Sequence, residues 1–312
     1  MSTRTALVTG AAGFIGSHLV DRLLVNGDTV VGVDDLSSGK LSNLPEELDL
    51  RHLDIRDSRL KDVFDEVRPD VVFHLAAQIS VSNSARNPKL DADVNIGGAL
   101  NLLECMKTQD SNGASLVYVT SGGTAYGQPE VLPADENTPI RPLSPYGASK
   151  FTVETYLPIY ENLSRLTYSV IRLGNVYGPR QDPHGEAGVV AIFSRAMLAG
   201  TSLKIFGDGT DERDYVYVDD VVEAILRAGA RGHRGPFNIG SGLGTSTNRI
   251  FELLAEYCSH EHPPEYGESR PGDIKAIALD SKKAKIELGW EPIVSLEDGL
   301  RATVEWFKAH PI

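Results

Sequence analysis

The sequence predicts an α/β protein with a Rossmann-type, doubly wound parallel sheet and a smaller C-terminal α/β region. Three observations predict it. Short apolar strands alternate with amphipathic helical segments through the first half of the chain, which is the pattern of βαβ units. The strands are apolar almost throughout, as in a sheet covered on both faces. A glycine-rich turn follows the first strand and opens the first helix.

The predicted strands span residues 5–10, 29–35, 50–55, 70–77, 114–121 and 166–173, and the intervening helices span 14–26, 58–67, 94–106 and 145–163. Glycine- and proline-rich loops replace this pattern after about Asn175. We therefore predict a first domain over residues 1–175, built on the parallel sheet, and a second, smaller region over 176–312. Since no linker-like stretch separates them, we expect the two to interleave.

Composition narrows the function classes. The 312 residues include 30 Lys+Arg and 43 Asp+Glu, a net charge of −13, which disfavours nucleic acid as a partner. Two cysteines, Cys105 and Cys258, exclude a disulfide framework. The longest apolar run, Val189 to Phe193, is too short to span a membrane, so we expect no membrane partner. The first ten residues already read as strand and turn rather than as a signal peptide, and we expect a cytoplasmic protein.

The first chemical motif is Gly10-Ala11-Ala12-Gly13-Phe14-Ile15-Gly16. Its glycines allow a tight turn and a close backbone approach to a pyrophosphate, and the helix that follows offers N–H donors at its positive end. The spacing differs from the usual Gly-x-Gly-x-x-Gly, and a purely structural turn is the alternative.

A carboxylate strengthens this interpretation. Asp34 stands at the end of the second strand, where it can accept hydrogen bonds from ribose hydroxyls and would repel a 2′-phosphate, so NAD is favoured over NADP. Asp54 and Ile55 close the predicted third strand and are candidates to meet the adenine, with a solvated strand end as the alternative. Leu75, Ala76 and Ala77 end the predicted fourth strand with small residues, as a closely bound cofactor requires, and plain packing is the alternative.

Tyr146 and Lys150 are four residues apart at the start of a long predicted helix and therefore share one face. A nearby ammonium and a cationic nicotinamide both favour the phenolate and lower the pKa of the phenol. Tyr146 can then take a proton from a sugar hydroxyl while a hydride leaves the same carbon. An anionic ligand bound by so acidic a chain also needs placed arginines and backbone N–H groups, because a guanidinium can donate two hydrogen bonds to phosphate oxygens.

With these residues in place, the chain resembles the extended short-chain dehydrogenase/reductase family, and within it the NAD-dependent nucleotide-sugar epimerases. The segments that carry the resemblance are TGAAGFIGSHL (9–19), DDLSSG (34–39), HLAAQ (74–78), TSGGTAYG (120–127), SPYGASK (144–150), IRLGNVYGPRQ (171–181), FGDGTDERDYVYVDD (206–220), FNIGSG (237–242) and RPGD (270–273). The resemblance implies reversible C4 epimerisation of a UDP-hexose such as UDP-glucose or UDP-galactose, through a 4-keto intermediate and tightly bound NAD.

The resemblance also implies site residues. It assigns NAD binding to residues 1–175 and nucleotide-sugar binding to residues 176–312. Further cofactor-binding positions are Asp35, Ser38, Gly39, Gln78, Asn95, Thr120 and Leu173. Further substrate-binding positions are Thr124, Asn175, Val190, Lys204, Phe206 and Asp273, together with Arg213 and Arg270 for the diphosphate, for which surface ion pairs are the alternative. Gly122 occupies the position where the family usually has a catalytic hydroxyl, so that duty falls to Thr124 or Ser121. The family commonly forms homodimers, which we expect here.

Several alternatives stay open. Other UDP-sugar 4-epimerases, acting on UDP-N-acetylglucosamine or UDP-glucuronate, fit the same motifs, because Ile277 is of intermediate size at the position expected beside the sugar C2 substituent. A dehydratase or decarboxylase is less favoured, since no Asp-Glu pair follows Thr120 and Ser121. A protein that binds NAD without turnover would not need the Tyr/Lys pair. We predict no metal site, because His260 and His262 lack further ligands.

Overall fold

The structure, a computed structural model, describes residues 4–108, 114–164, 166–184, 188–230, 233–269 and 274–310. The strands within these ranges are β1 (Thr5–Thr9), β2 (Thr29–Asp34), β3 (Asp49–His52), β4 (Val71–His74), β5 (Ser115–Ser121), β6 (Thr167–Leu173), β7 (Asn175–Tyr177), β8 (Lys204–Phe206), β9 (Glu212–Tyr217), β10 (Gly235–Ile239), β11 (Gly244–Ser246) and β12 (Glu265–Gly267). The α-helices are α1 (Phe14–Val25), α2 (Leu60–Val67), α3 (Val81–Arg86), α4 (Pro88–Ala92), α5 (Gly98–Thr108), α6 (Gly122–Ala125), α7 (Pro145–Ser164), α8 (Val189–Leu198), α9 (Val218–Ala228), α10 (Thr247–Cys258), α11 (Lys282–Leu288) and α12 (Leu296–Ala309).

The central sheet has seven strands in the order β10-β6-β5-β4-β1-β2-β3. Strand β1 pairs in parallel with both β2 and β4, and β2–β3 and β4–β5 are parallel as well. The order therefore reverses between β1 and β4, which is the switch point of a doubly wound sheet. Thr9 and His74, the last residues of these two strands, are direct partners there. The Rossmann-type fold predicted from the sequence is confirmed.

Several predicted strands extend too far. Strand β4 ends at His74, so Leu75, Ala76 and Ala77 form a loop, and β3 ends at His52, so Asp54 and Ile55 lie beyond it. The apolar pattern continues past the last ladder pair in both places, which is why periodicity alone placed the ends too late. The seventh strand, β10, was not predicted, because it is short and lies among loop residues. The predicted helix over 94–106 begins with a π-helical turn, Asp93–Gly97, before α5.

The chain divides into two compact units that interleave along the sequence. The first comprises Met1–Ser121, Ser144–Arg172 and Val222–Phe237, and the second comprises Gly122–Leu143, Leu173–Val221 and Asn238–Ile312. The assignment of cofactor binding to residues 1–175 and sugar binding to 176–312 stays a prediction. What the structure adds is that the compact units each consist of three chain segments.

The first unit is built around the sheet. Its apolar cluster joins residues of β1, β2, β4 and β5 to residues of α2, α5 and α7, with Leu7, Val72, Leu102, Tyr118 and Leu157 nearly or fully buried. Burial of a Leu or Val side chain contributes about 1.5–3 kcal/mol, so this cluster is the main stabilising element of the unit.

The second unit contains a three-stranded sheet, β11-β9-β7, and helices α8, α10 and α12, which pack on one another. Asp214 of β9 lies fully buried at its centre. One carboxylate oxygen accepts the backbone N–H and the hydroxyl of Ser241, and the other accepts the backbone N–H groups of Gly242 and Leu279. No helix in the described ranges has the length and apolarity that crossing a membrane requires.

Candidate functional site

The glycine turn lies at the carboxyl end of β1, at the switch point of the sheet. Gly10 has a positive φ of 71°, and a Cβ there would lie 2.8 Å from the backbone nitrogen of Ala76. A Cβ on Gly16 would come within 2.0 Å of the Gly10 carbonyl oxygen. These two glycines are therefore required by the turn itself, whereas a Cβ on Gly13 would meet only the Gly10 oxygen at 3.2 Å.

The residues at this turn fit a dinucleotide. Helix α1 starts after Gly13 with no side-chain cap and no acidic residue in its first turn, so its N–H groups and positive end suit a pyrophosphate. Phe14 and Ile15 are the first two helical residues. On β5 of the same unit, the hydroxyl of Thr120 is buried and has no hydrogen-bond partner among the described residues. A buried polar atom of this kind indicates a ligand group as its partner.

Asp34 ends β2 beside the turn. One carboxylate oxygen accepts the Ala12 N–H at 2.9 Å and the other accepts the Leu36 N–H at 2.8 Å. Burial raises the pKa of Asp34, against these two hydrogen bonds and with a smaller contribution from the Asp35 charge. A Cβ on Gly39 would lie 2.7 Å from the Asp34 carboxylate, so this glycine leaves the acid room. The carboxylate thus fixes the turn and retains acceptor capacity for a ribose.

The predicted adenine contacts have other partners in the structure. Asp54 accepts the backbone N–H and the guanidinium of Arg56, and that hydrogen-bonded guanidinium lowers the pKa of Asp54. Ile55 is buried against α5, where a Cβ on Gly98 would lie 2.4 Å from the Ile55 Cδ1. Asp35 and Ser38 are exposed in the loop after β2, and Leu173 is buried at the end of β6.

Gln78 and Asn95 hold the loop after β4. The Gln78 backbone N–H donates to the Asn95 side-chain oxygen at 2.8 Å, and the Asn95 amide donates to the Gln78 carbonyl and to the Ser149 hydroxyl, each at 3.1 Å. Asn95 lies in the π-helical turn, and its hydrogen bond to Ser149 joins this turn to α7. Both residues are therefore fully engaged in positioning the loop that carries Leu75, Ala76 and Ala77.

Tyr146 and Lys150 lie on one face of α7, as predicted from their spacing. The Ser144 hydroxyl accepts the Gly147 N–H at the start of this helix, and the Ser84 hydroxyl accepts the Tyr146 N–H at 3.1 Å. Lys150 is 4% exposed, and its Nζ lies 4.6 Å from the centre of the Tyr118 ring. The Tyr118 hydroxyl donates to the Lys150 carbonyl oxygen at 3.0 Å, which fixes the ring under the ammonium.

The protonation states of this pair depend on burial. Burial raises the pKa of Tyr146 to about 12, with a further contribution from the Asp91 charge. Burial lowers the pKa of Lys150 to about 7, against the charges of Glu154 and Asp91. The protein's own groups thus raise the pKa of the phenol, contrary to the lowering expected from Lys150. A positive charge placed beside the phenol would lower its pKa.

Two neighbouring groups shape the surroundings of Lys150. His74 is buried, lies 5.7 Å from the Tyr118 ring and shares a hydrogen bond of 2.7 Å with the Thr9 hydroxyl. Burial, and secondarily the Lys150 charge, lowers the pKa of His74 to about 3, so its imidazole is neutral. Glu154, one turn after Lys150, pairs with Arg172 at 2.6 Å in a site where both side chains are 6% exposed.

The candidate catalytic hydroxyls, those of Ser121 and Thr124, come shortly after Thr120 in the sequence. Ser121 ends β5 in the first unit, and Thr124 lies on the short helix α6 in the second, both partly buried. Tyr126 is fully buried in the second unit, where its hydroxyl donates to the Asn238 side chain at 2.7 Å and its ring packs with Ile277. Tyr126 and Ile277 therefore contribute to packing.

The candidate nucleotide-binding residues of the second unit lie on separate elements. Asn175 is on β7 and Arg213 on the adjacent β9, where the guanidinium donates to the Glu212 carbonyl at 2.9 Å. Lys204 and Phe206 are exposed on β8, with the ammonium 5.6 Å from the ring centre, and Val190 is buried on α8. Arg270 and Asp273 lie outside the described residues.

Some residues around α7 were missed by sequence reasoning. Asp91, Ser84 and Tyr118 are far from Tyr146 in the sequence, and only the tertiary fold brings them near it. Glu154 could have been found, because it continues the four-residue spacing of Tyr146 and Lys150. No group of three or more metal-ligating side chains occurs in the described part of the chain.

The chain is similar over nearly its whole length to known epimerases. The chain is 49% identical to the UDP-glucose 4-epimerase of Mycolicibacterium smegmatis over 97% of this chain and 98% of the relative. It is 44% identical to a putative UDP-glucose 4-epimerase of Methanocaldococcus jannaschii, over 97% of this chain and 98% of the relative.

Solved structures agree as well. A UDP-glucose 4-epimerase of Thermotoga maritima with UDP-glucose has a TM-score of 0.95 at 48% identity, over 98% of this chain and 99% of the other. A Thermus thermophilus UDP-glucose 4-epimerase in complex with NAD has a TM-score of 0.92 at 42% identity, over the same shares. Residues 6–240 match the NAD dependent epimerase/dehydratase family, and the chain belongs to that family.

Proposed function

We propose that this protein is an NAD-dependent UDP-hexose 4-epimerase that interconverts UDP-glucose and UDP-galactose. The observation that carries the proposal is the Tyr146–Lys150 face of α7 in the same unit as an uncapped, glycine-rich helix start. The near full-length similarity to UDP-glucose 4-epimerases supports the choice of substrate.

The dinucleotide would be held by groups of the first unit. The N–H groups at the start of α1 would bind the pyrophosphate, Asp34 the adenosine ribose, and Thr120 and Lys150 the nicotinamide end. Bound NAD would supply a reversible hydride acceptor at the sugar C4 and a positive charge beside the phenol. The loop fixed by Gln78 and Asn95 would form one wall of this site.

The proton chemistry belongs to Tyr146. Its phenolate takes the proton of the C4 hydroxyl as the 4-keto sugar forms, and returns it when the hydroxyl is restored on the opposite face. Lys150 stabilises the phenolate by its charge, and Thr124 or Ser121 is the hydroxyl we assign to orient the C4 oxygen. The sugar is unchanged in oxidation state at the end.

The remaining substrate is a diphosphate, for which we propose Asn175, Arg213 and Arg270 as binding residues. Arg213 has one guanidinium nitrogen on a backbone carbonyl, which leaves further donors for phosphate oxygens. Asp273 is proposed for the uridine ribose, and Val190, Lys204 and Phe206 for the uracil. We also propose that the protein is a cytoplasmic homodimer. Sedimentation of the purified protein tests its oligomeric state.

The decisive experiment is incubation of the purified holoenzyme with UDP-galactose alone, with the products separated by chromatography and weighed by mass spectrometry. We expect UDP-glucose of unchanged mass. Loss of water or carbon dioxide from a UDP-sugar would instead identify a dehydratase or decarboxylase. UDP-N-acetylglucosamine and UDP-glucuronate, tested separately, define which C2 and C6 substituents are accepted.

Tyr146→Phe should lower kcat about 100- to 10,000-fold while NAD remains bound, because only the proton acceptor is lost. Tyr156→Phe, on the same helix, is the matched control and should retain full activity. Equal losses in both variants, or loss of NAD from Tyr146→Phe alone, would show that the hydroxyl is structural.

A further inference from the structure

The backbone N–H groups in the first turn of α7 have acceptors of two kinds. The first N–H groups of a helix have no partner within it, and the first residue of α7 is a proline, which has no N–H group. The N–H groups of Gly147 and Ala148 donate to the hydroxyl and the carbonyl of Ser144, at 3.1 Å and 3.0 Å. The N–H of Tyr146 donates instead to the Ser84 hydroxyl, at 3.1 Å. The residue that carries the phenol is therefore the one whose N–H depends on a distant segment of the chain.

The Ser84 hydroxyl has a fixed orientation. Ser84 lies on α3 and is fully buried, and its hydroxyl donates to the Val81 carbonyl oxygen at 2.7 Å. A serine hydroxyl has a single proton, so the Tyr146 N–H meets an oxygen lone pair. Both hydrogen bonds are satisfied together, and loss of the hydroxyl would leave the Tyr146 N–H without this acceptor.

The carbonyl group of Tyr146 is held as well. The hydroxyl of Ser149 donates to the Tyr146 carbonyl oxygen at 3.0 Å and accepts the Asn95 amide at 3.1 Å. Ser149 is buried, and both α3 and the π-helical turn that contains Asn95 pack on α7. Both backbone polar groups of Tyr146 thus belong to hydrogen-bond chains that continue to elements outside α7, through Ser84 to α3 and through Ser149 to the π-helical turn.

We propose that Ser84 is a positioning residue of the epimerase reaction, whose hydroxyl fixes the first turn of α7 and thereby the place of the Tyr146 phenol. The inference rests on the proposed function, in which Tyr146 accepts the proton. Ser84 binds the backbone of Tyr146, so it acts through geometry and transfers no proton itself. Proton transfer requires the phenol oxygen within hydrogen-bond reach of the sugar hydroxyl, and a misplacement of about 1 Å can lower a rate about 100-fold.

The kinetic test compares Ser84→Ala with Ser80→Ala. Ser80 caps the start of α3, where its hydroxyl accepts the Asn83 N–H at 2.9 Å, so the control removes a hydroxyl from the same helix and leaves the bond to Tyr146 in place. We expect kcat of Ser84→Ala to fall about 10-fold or more, with KM little changed and NAD still bound. Ser80→Ala should keep the kcat of wild type, because a weakened α3 alone does not release Tyr146.

Hydrogen exchange gives a readout that needs no turnover. In NAD-loaded protein labelled with ¹⁵N-tyrosine, the backbone amide signal of Tyr146 is assigned by its loss in Tyr146→Phe. The exchange rate of this amide should rise about 10-fold or more in Ser84→Ala and stay at the wild-type value in Ser80→Ala.

Ser84→Cys repeats both measurements if the alanine variant does not fold. Its thiol is of similar size and a weaker acceptor, so both effects should be present and smaller. An unchanged kcat or an unchanged Tyr146 exchange rate in a folded Ser84 variant would overturn the proposal, and so would equal changes in Ser80→Ala. If wild type does not epimerise UDP-galactose, the proposed function fails, whereas the exchange rates still decide whether Ser84 holds Tyr146.

Discussion

At the scale of single residues, the first unit contains a set of buried ionisable side chains on neighbouring elements. His74 and Tyr118 come from adjacent strands, Lys150 and Glu154 from one helix, and Arg172 from β6. The sequence allowed Tyr146 and Lys150 to be placed together, because spacing along one helix determines their separation. It did not allow Asp91 or His74 to be placed beside them, because those contacts depend on strand order and helix packing.

The neutral imidazole of His74 predicts a pH dependence of stability. Its pKa in the folded state is about 3, below the ordinary 6.5, so the unfolded chain binds a proton that the folded chain does not between these values. This group's stabilisation is complete above pH 6.5 and is lost as the pH falls toward 3. The expected slope is about 1.4 kcal/mol of unfolding free energy per pH unit.

Urea unfolding of wild type and His74→Gln at several pH values measures this slope. As the pH falls from 6.5, the unfolding free energy of wild type should decrease relative to that of His74→Gln, because the variant lacks the titrating ring. His310→Gln alters an exposed histidine and should follow wild type. Parallel curves for wild type and His74→Gln would contradict the buried, neutral state.

At the scale of elements, a few side chains accept hydrogen bonds from loop backbone N–H groups and thereby join the loops to strands. Asp214 joins β9 to the segments at Ser241 and Leu279, contacts that the sequence pattern does not reveal. Strand ends were misplaced for a related reason. The apolar pattern of Leu75 to Ala77 resembles a strand, yet these residues leave the ladder and are held by side chains from elsewhere.

Asp214→Asn should destabilise the second unit by about 3 kcal/mol or more. The amide group that replaces one carboxylate oxygen is a donor, and it would face backbone N–H groups that then lack acceptors at about 1–3 kcal/mol each. Thermal and urea unfolding measure the loss. Asp208→Asn, in an exposed turn, is the control and should change stability by less than about 0.5 kcal/mol.

At the scale of the whole molecule, the chain passes between its two compact units several times. The sequence indicated a change of character near Asn175, because strand and helix alternation stops there. It gave no sign that 222–237 returns to the first unit and adds β10 beside β6, since short strands among loops carry little periodicity.

This interleaving predicts how fragments behave. A fragment of residues 1–175 lacks β10 and leaves β6 as an open sheet edge, so it should unfold without a cooperative transition or aggregate. A fragment of residues 1–240 retains β10 and should keep more secondary structure and a sharper transition. Circular dichroism during heating compares them, and a cooperative transition in the shorter fragment would show that β10 is dispensable.

The crowded turn at Gly10 and Gly16 limits what a glycine motif of this kind indicates about the bound ligand. Both glycines are imposed by contacts of the polypeptide with itself, at 2.8 Å and 2.0 Å for an added methyl group. A descendant that had abandoned redox cofactors altogether would still need both to fold. Gly13, where an added methyl group meets less obstruction, is the member of the trio whose replacement would first signal a change of ligand.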